Sequence, residues 1–388
     1  MSSGQRTEQL SMQDAAPSPV GGLGVVFLVA QPGLETALLT EAIAAGFADA
    51  QLVPGGVEIA GGLAEAIRAN HILRRAVRVL WRVAAFRALH LAQLDKRAKK
   101  LAWLDWLRPD QPVRVEAVCR SSKIYHDKAA VQRIAGAITA AGITVASDAT
   151  LVIKARIEDD LCTISIDTSG EPLHRRGHKT YVGKAPLRET MAAGFLWQMG
   201  FDGSQAVVDP MCGSGTIVLE AAEIAAGLLP GRSRDFAFAH LVGGGNEGRC
   251  PSRSPGYLEN EEGGVRFFGY DRDDGAIRGA QGNAARAGTS AICHFTRQAV
   301  SDLMPPEGIA PGIILTNPPY GARIGERKLL FAVYGALGAT LRARFAGWKV
   351  GIVTPDKGLA QATGLSLAPL GPVDHSGTKV WLWQGVIG

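Results

Sequence analysis

The sequence predicts an α/β chain in two parts: a small α+β domain with a mixed sheet, then a larger domain built on a parallel sheet. Three observations carry this. Strand and helix patterns alternate from residue 206 onward, as in repeated βα units with right-handed crossovers. Residues 24–83 read β-α-β-α-β. A buried apolar run, Ile313-Ile314-Leu315-Thr316, stops abruptly at Asn317-Pro318-Pro319-Tyr320. Proline has no N–H for a ladder, so the strand must end there.

Taken in order, residues 1–22 combine Ser, Gln, Asp and Pro without a basic start or apolar core, which predicts a disordered tail rather than a secretory signal. An apolar strand at 23–30, a helix at 34–45, a strand around 51–60, a helix at 63–70 and a strand at 76–83 follow, the third break marked by Gly61-Gly62. An amphipathic helix at 89–101 and a strand at 113–119 lead into Arg120-Ser121-Ser122-Lys123-Ile124-Tyr125-His126-Asp127-Lys128, then a helix through 138. Strands at 149–157 and 161–167, joined by Glu158-Asp159-Asp160, form a hairpin. The domain boundary is placed near residue 170, giving regions 23–170 and 171–388.

After the basic run Leu173-His174-Arg175-Arg176-Gly177-His178-Lys179, the stretch Ala185-Pro186-Leu187-Arg188-Glu189-Thr190 opens a helix. The second domain is then read as strand 206–209, helix 215–227, strand 265–270, helix 273–287, strands 291–295 and 312–316, helix 328–344, strand 349–354, and closing strands near 365–370 and 378–387. Residues 228–264 interrupt this rhythm. Gly243-Gly244-Gly245 and Ser-Pro-Gly content predict a mobile insertion.

Composition limits the chemistry. With 388 residues, 46% hydrophobic and 20% charged, the chain is long enough for two domains. The longest early apolar run is too short to cross a bilayer, and a cytoplasmic, membrane-free protein is expected. Five cysteines without Cys-x-x-Cys spacing argue against a zinc ribbon or disulfide framework, and no metal is called for. Net charge is +5, but residues 65–135 alone hold 16 Lys and Arg against 6 Asp and Glu. That asymmetry fits a polyanion-binding segment, with a solvated helix face as the alternative. Within it, Arg120, Ser122, Lys123 and Lys128 supply phosphate donors beside the rings of Tyr125 and His126, a mixture suited to RNA.

The strand Ala206-Val207-Val208-Asp209 runs into Pro210-Met211-Cys212-Gly213-Ser214-Gly215-Thr216. Two glycines permit a sharp turn and close approach of a ligand. The pattern is neither a dinucleotide fingerprint, since position 218 is Val218, nor a phosphate-cradling P-loop. An acid four positions before the first glycine suits a cationic ligand with an amino-acid portion, such as S-adenosylmethionine. Asp271, ending the next strand, stands where a ribose diol is gripped, although the insertion sets it much further on than the usual spacing of about 20. The Asn317-Tyr320 loop offers an amide, proline-stiffened carbonyls and a ring, groups that suit a planar heterocycle bearing an amine.

Together, Cys119-Arg120-Ser121-Ser122-Lys123-Ile124-Tyr125, His174-Arg175-Arg176-Gly177, the 185–190 stretch, Asp209 to Thr216 and Asn317-Pro318-Pro319-Tyr320-Gly321 resemble those of THUMP-domain class I RNA methyltransferases that make N2-methylguanosine. The resemblance implies a Rossmann-like class I methyltransferase domain preceded by an α+β ferredoxin-like/THUMP RNA-binding domain. It implies that Pro186, Glu189 and Thr190 form a lid over the cofactor's methionine end and that Asp209, Met211, Cys212, Gly213, Ser214, Gly215 and Thr216 wrap it. Asp271, with Arg272 beside it, would hold the ribose, and Asp302, two or three positions late, the adenine. Asn317, Pro318, Pro319 and Tyr320 would hold guanine. Arg175, Arg176 and Lys179 would join the RNA-contacting set. The final turn, His375-Ser376-Gly377-Thr378, departs from the Asn-Gly turn of many relatives.

The expected reaction is transfer of a methyl group from S-adenosylmethionine to the N2 amine of a guanosine unstacked from RNA, with large-subunit ribosomal RNA favoured over transfer RNA. A protein glutamine methyltransferase would share the Asn-Pro-Pro-Tyr loop but would not need the basic region. A non-catalytic RNA-binding protein would need only that region. Oligomeric state has no signature in the sequence.

Overall fold

The structure, a computed structural model, describes residues 24–183, 187–246, 250–254, 264, 266–321 and 327–388. The expected tail 1–22, Pro186 and the insertion's residues 255–263 lie outside them.

The first half builds a seven-stranded sheet in the order β2-β3-β1-β4-β7-β6-β5. Its strands are β1 (Val25–Ala30), β2 (Gln51–Val53), β3 (Gly56–Ala60), β4 (Ala76–Arg87), β5 (Val113–Arg120), β6 (Leu151–Glu158) and β7 (Leu161–Asp167). All neighbours pair antiparallel except β5 and β6, so the sheet is mixed. Helices α1 (Glu35–Ala44), α2 (Leu63–Ile72), α3 (Leu91–Ala98) and α4 (Asp127–Ala140) accompany it. Along β1 the pleat sends Val26, Leu28 and Ala30 inward, into one core with Leu38 and Ala42 of α1 and Ala66 and Ile67 of α2.

One expected strand is a hairpin: Pro54 and Gly55, the latter at φ +84°, break 51–60 into β2 and β3. The strand expected at 76–83 continues to Arg87 through an irregularity between Arg82 and Ala84. Asp159 and Asp160 both take positive φ, making the two-residue turn between β6 and β7.

The second half forms another seven-stranded sheet, β10-β9-β8-β11-β12-β14-β13. Its strands are β8 (Val207–Asp209), β9 (Phe267–Asp271), β10 (Cys293–Arg297), β11 (Ile313–Thr316), β12 (Lys349–Thr354), β13 (Ala368–His375) and β14 (Thr378–Val386). The first five are parallel, and β14 and β13 add on antiparallel. Flanking helices are α5 (Glu189–Gln198), α6 (Thr216–Ala225), α7 (Asp274–Ala287), α8 (Arg327–Arg344) and α9 (Lys357–Ala362). The short α9 was not expected. Asp356 caps it by accepting from the N–H groups of Gly358 and Leu359.

Strand β8 has β9 on one side and β11 on the other, so the strand order reverses there. Open α/β sheets bind ligands at such a point, outside the carboxyl ends of the strands.

The two halves are packed together. Leu34 and Ala37 share a core with Met191 and Phe195 of α5. The expectation of a mobile loop at 228–264 is corrected for its first part. Phe236, Ala237, Phe238 and Leu241 are buried in the first sheet's core, and His71 meets both phenylalanine rings edge-on. Arg234 donates to the carbonyls of Ser169, Glu171, Pro172 and Arg175. Aromatic burial and these bonds fix the segment despite the glycines beyond it. Among the described residues no helix is long and apolar enough to cross a membrane.

Candidate active site

Asp209 ends β8 and Thr316 ends the neighbouring β11; the Thr316 hydroxyl donates to Asp209 Oδ1 at 2.8 Å. The same oxygen accepts from the Met211 N–H at 3.1 Å. This carboxyl is buried, and burial pushes its pKa up to about 7 against those two bonds, with the Asp271 charge adding to the rise.

From Asp209 the chain turns through Pro210 to Gly215 into α6. The Cys212 N–H donates to the Tyr270 carbonyl, and the Gly213 N–H to Asp271 Oδ2 at 3.0 Å. Gly213 sits at φ +53°, and none of the described residues fills the space where a side chain would project. Gly215, at φ +83°, has no such space: a Cβ there would come within 3.1 Å of the Phe295 ring. So one glycine leaves room for a ligand and the other lets the loop lie on β10. Asp271 also accepts from the Asp273 N–H, so its carboxylate braces the loop at the tip of β9. Burial, then Asp209 and Asp271, raise the Cys212 thiol well above its ordinary range, which makes it packing rather than a nucleophile.

A cleft of about 230 Å³ is lined by Asp209, Met211, Gly213, Thr216, Asn317 and Pro319, with Cys212 and Ser214 completing the turn. It thus brings together two strand ends that the sequence assigns to different ligands. Pro318 is buried, which anchors the loop, while Tyr320 is half-buried and its hydroxyl lies 3.0 Å from His375 Nδ1.

Several assignments change. Arg176, expected to contact RNA, is fully buried; its guanidinium pairs with Glu220 and donates to the carbonyls of Leu173 and Arg74. Lys179, assigned to the same role, is also inside. Its Nζ donates to Glu189 Oε1 at 2.8 Å and Thr216 Oγ1 at 2.6 Å, tying the start of α5 to the start of α6. Arg175 is exposed and pairs with Glu171. Glu189 and Thr190 are buried at the first turn of α5. Arg272 and Asp302 are exposed; Arg272 offers its carbonyl to Arg297, and Asp302 accepts from Ser301. Neither lines this cleft.

In the first half, Arg120, Lys123, Tyr125 and Lys128 are exposed at the end of β5 and the start of α4, with Tyr125 71% exposed and its ring 4.1 Å from that of His126. Ser122 plays another part. Its hydroxyl donates to the Arg120 carbonyl and accepts from the Asp160 N–H, stiffening the loop that presents the others.

Sequence reasoning missed Asn283. Fully buried in α7, it donates to the carbonyls of Tyr181 and Ser214 and accepts from the N–H groups of Thr180 and Tyr181, pinning 180–181 to the glycine turn. An asparagine on a helix face otherwise made of Ala276, Ile277, Ala280 and Ala284 was the available signal.

The family model described as "RMKL-like, methyltransferase domain" matches residues 176–369, half of the chain. The chain belongs to this methyltransferase family. A second model, the RlmL ferredoxin-like domain, matches residues 26–80, which run from β1 into β4. The methyltransferase is 34% identical over 365 residues to a protein of Syntrophotalea carbinolica named ribosomal RNA large subunit methyltransferase K/L. The match covers 87% of this chain and 50% of that one. The chain spans about half the length of the K/L proteins it matches. Among solved structures, a possible methylase from Clostridium difficile 630 aligns with TM-score 0.79 and 26% identity, over 94% of this chain and 98% of that one. A protein of Listeria monocytogenes titled a predicted N6-adenine-specific DNA methylase aligns with TM-score 0.80 and 26% identity, over 94% and 96%. The chain carries a class I methyltransferase domain preceded by a ferredoxin-like N-terminal part.

Proposed function

We propose that this methyltransferase transfers a methyl group from S-adenosylmethionine to the exocyclic N2 amine of a guanosine in large-subunit ribosomal RNA, with residues 23–170 binding the RNA and 171–388 performing the transfer. The observation that carries the reading is the cleft at the switch point between β8 and β11, where Asp209, Gly213 and Ser214 meet Asn317 and Pro319, with Asp271 holding the Gly213 N–H beside it. The names of the K/L relatives support the RNA class.

The residues present fit the cofactor: space at Gly213 that none of the described residues fills, a carboxyl at Asp209 facing the same cleft, and a carboxylate at the tip of β9. When bound, S-adenosylmethionine supplies an electrophilic methyl group. The chain's task is to present the amine. Its lone pair is delocalised into the guanine ring, so the nitrogen is a weak nucleophile. Acceptance of its N–H groups by the Asn317 side-chain oxygen and the Pro318 carbonyl would favour a pyramidal nitrogen and aim the lone pair across the cleft. Tyr320, held by His375, would offer a stacking face. Fixing both partners can supply about 7–11 kcal/mol of the barrier.

Asp209 makes donor binding pH-dependent. Below pH 7 its carboxyl is largely neutral, and a cation in the cleft favours the ionised form. Binding therefore releases a proton, and affinity rises with pH up to about 7 by at most about tenfold per unit. Calorimetric titration from pH 5 to 8 should show this slope, and Asp209→Asn should flatten it.

On the RNA side, the double variant Lys123→Ala/Lys128→Ala should weaken RNA binding whatever the sequence. It should also reduce the log–log salt slope by about 1.4, or about 0.7 for each single-strand phosphate left without its lysine. An unchanged slope would remove these lysines from the interface.

Nucleoside mass spectrometry after incubation with deuterated-methyl donor tests the whole reading. Labelled N2-methylguanosine from ribosomal RNA is expected. Label in N6-methyladenosine, in transfer RNA alone or in protein glutamine would replace it.

A further inference from the structure

A second cavity, of about 630 Å³, adjoins the donor cleft; Leu187 lines both. Its wall is basic, with His174, Arg175, Lys179, Arg188 and His375 all facing it. Most of these charges are already answered: Arg175 pairs with Glu171 and Lys179 with Glu189. Arg188 differs. Its partners among the described residues are neutral, the Ser376 hydroxyl at 3.0 Å and the Gln31 amide oxygen at 3.5 Å. His174 stands beside it with its Nδ1 buried and, among the described residues, without a hydrogen-bond partner. Burial first, then the charges of Arg188, Arg176, Arg175 and Lys179, keep that ring neutral down to about pH 4.

The cavity is also joined to the acceptor loop. Ser376 and Gly377 take positive φ and turn β13 into β14, which sets His375 against Tyr320 and Ser376 against Arg188. One hairpin turn thus touches both the aromatic platform and the cation.

We propose that this cavity seats the phosphodiester adjoining the target nucleotide, with Arg188 as its charged ligand and the Ser376 hydroxyl and His174 Nδ1 as polar neighbours. A phosphate supplies the anion that Arg188 lacks, and it lies on the substrate within reach of a base stacked on Tyr320. The inference rests on the RNA-methylating reading above. Arg188 is then a positioning residue that fixes the nucleotide's backbone.

The test measures KM and kcat for an RNA substrate, the salt slope of RNA binding and calorimetric S-adenosylmethionine affinity, for wild type, Arg188→Ala and Arg188→Lys. Arg188→Ala should raise the RNA KM by about 10- to 100-fold, as loss of a charged hydrogen bond does, and lower the salt slope by about 0.7. Its donor affinity should match wild type, which also shows that it folds, and Arg188→Lys should restore the slope. A wild-type KM and slope in Arg188→Ala would overturn the proposal while leaving the activity standing. Lost donor affinity in both variants would overturn it too, by making the cavity a seat for the donor's own carboxylate. A wild-type protein that methylates no RNA would remove the reading beneath it.

Discussion

Asn317→Ala should lower single-turnover methyl transfer by about 10²–10³-fold or more, the range for losing one preorganised polar group at a reacting centre, while donor affinity stays within about twofold. The split follows from where the residue stands. β11 ends at Thr316, whose hydroxyl is committed to Asp209, and Pro318 is buried, so the backbone on both sides of Asn317 is fixed. Asn317 lines the same cleft as Gly213 and Ser214 of the glycine turn. Losing its side chain removes an acceptor for the amine but no part of the Asp209–Thr216 loop. Rapid-quench transfer with labelled donor, paired with calorimetry, checks both halves. Near-wild-type transfer would exclude Asn317 from the reaction. Parallel loss of donor affinity would make it a donor ligand instead.

The second large effect is on stability. Glu220 and Glu223, one helical turn apart on α6, are buried among Arg74, Arg176, Arg232 and His178. Arg74 bridges both, at 3.1 and 3.2 Å; Arg232 and His178 reach Glu223 at 3.1 and 2.8 Å. The cluster ties together the segment before β4, the basic run at 173–179, α6 and the first part of the insertion. Burial alone would raise the Glu223 carboxyl, but the His178 bond and the Arg74 and Arg232 charges hold it well below the usual carboxylate range. Glu223→Ala leaves buried cations without their anion and should cost about 3–5 kcal/mol, read as a lowered urea midpoint. The depressed carboxyl contributes stability that is fully present above pH 4.5 and is lost as pH falls below it towards the folded-state value. Wild type should therefore lose stability on acidification more steeply than Glu223→Ala. Equal urea midpoints would contradict the account.

The sequence was legible where chemistry and geometry coincide. Strand-ending residues such as Asp209, Asp271 and Asn317 announce themselves because a parallel strand puts its last polar group at the binding edge. Charge was harder. His174 to Lys179 reads as a surface run, yet Arg176 and Lys179 are inside because their anions lie on other elements. The warning was in α6, where Glu220 and Glu223 interrupt an apolar helix that has no solvent side. Glutamates so placed demand buried cations. The insertion misled for a related reason: glycines at 243–245 drew attention from Phe236 and Phe238, which carry the burial. The pairing of Arg188 with Ser376 spans most of the second half of the chain and follows only from β13 and β14 joining the far edge of the sheet.

A crystal structure of the full chain with S-adenosylhomocysteine bound tests the central arrangement most directly. The account predicts the sulfur in the cleft between Gly213 and Asn317, with the ribose hydroxyls on Asp271. The ligand lodged elsewhere, or the sulfur turned away from Asn317, would contradict it.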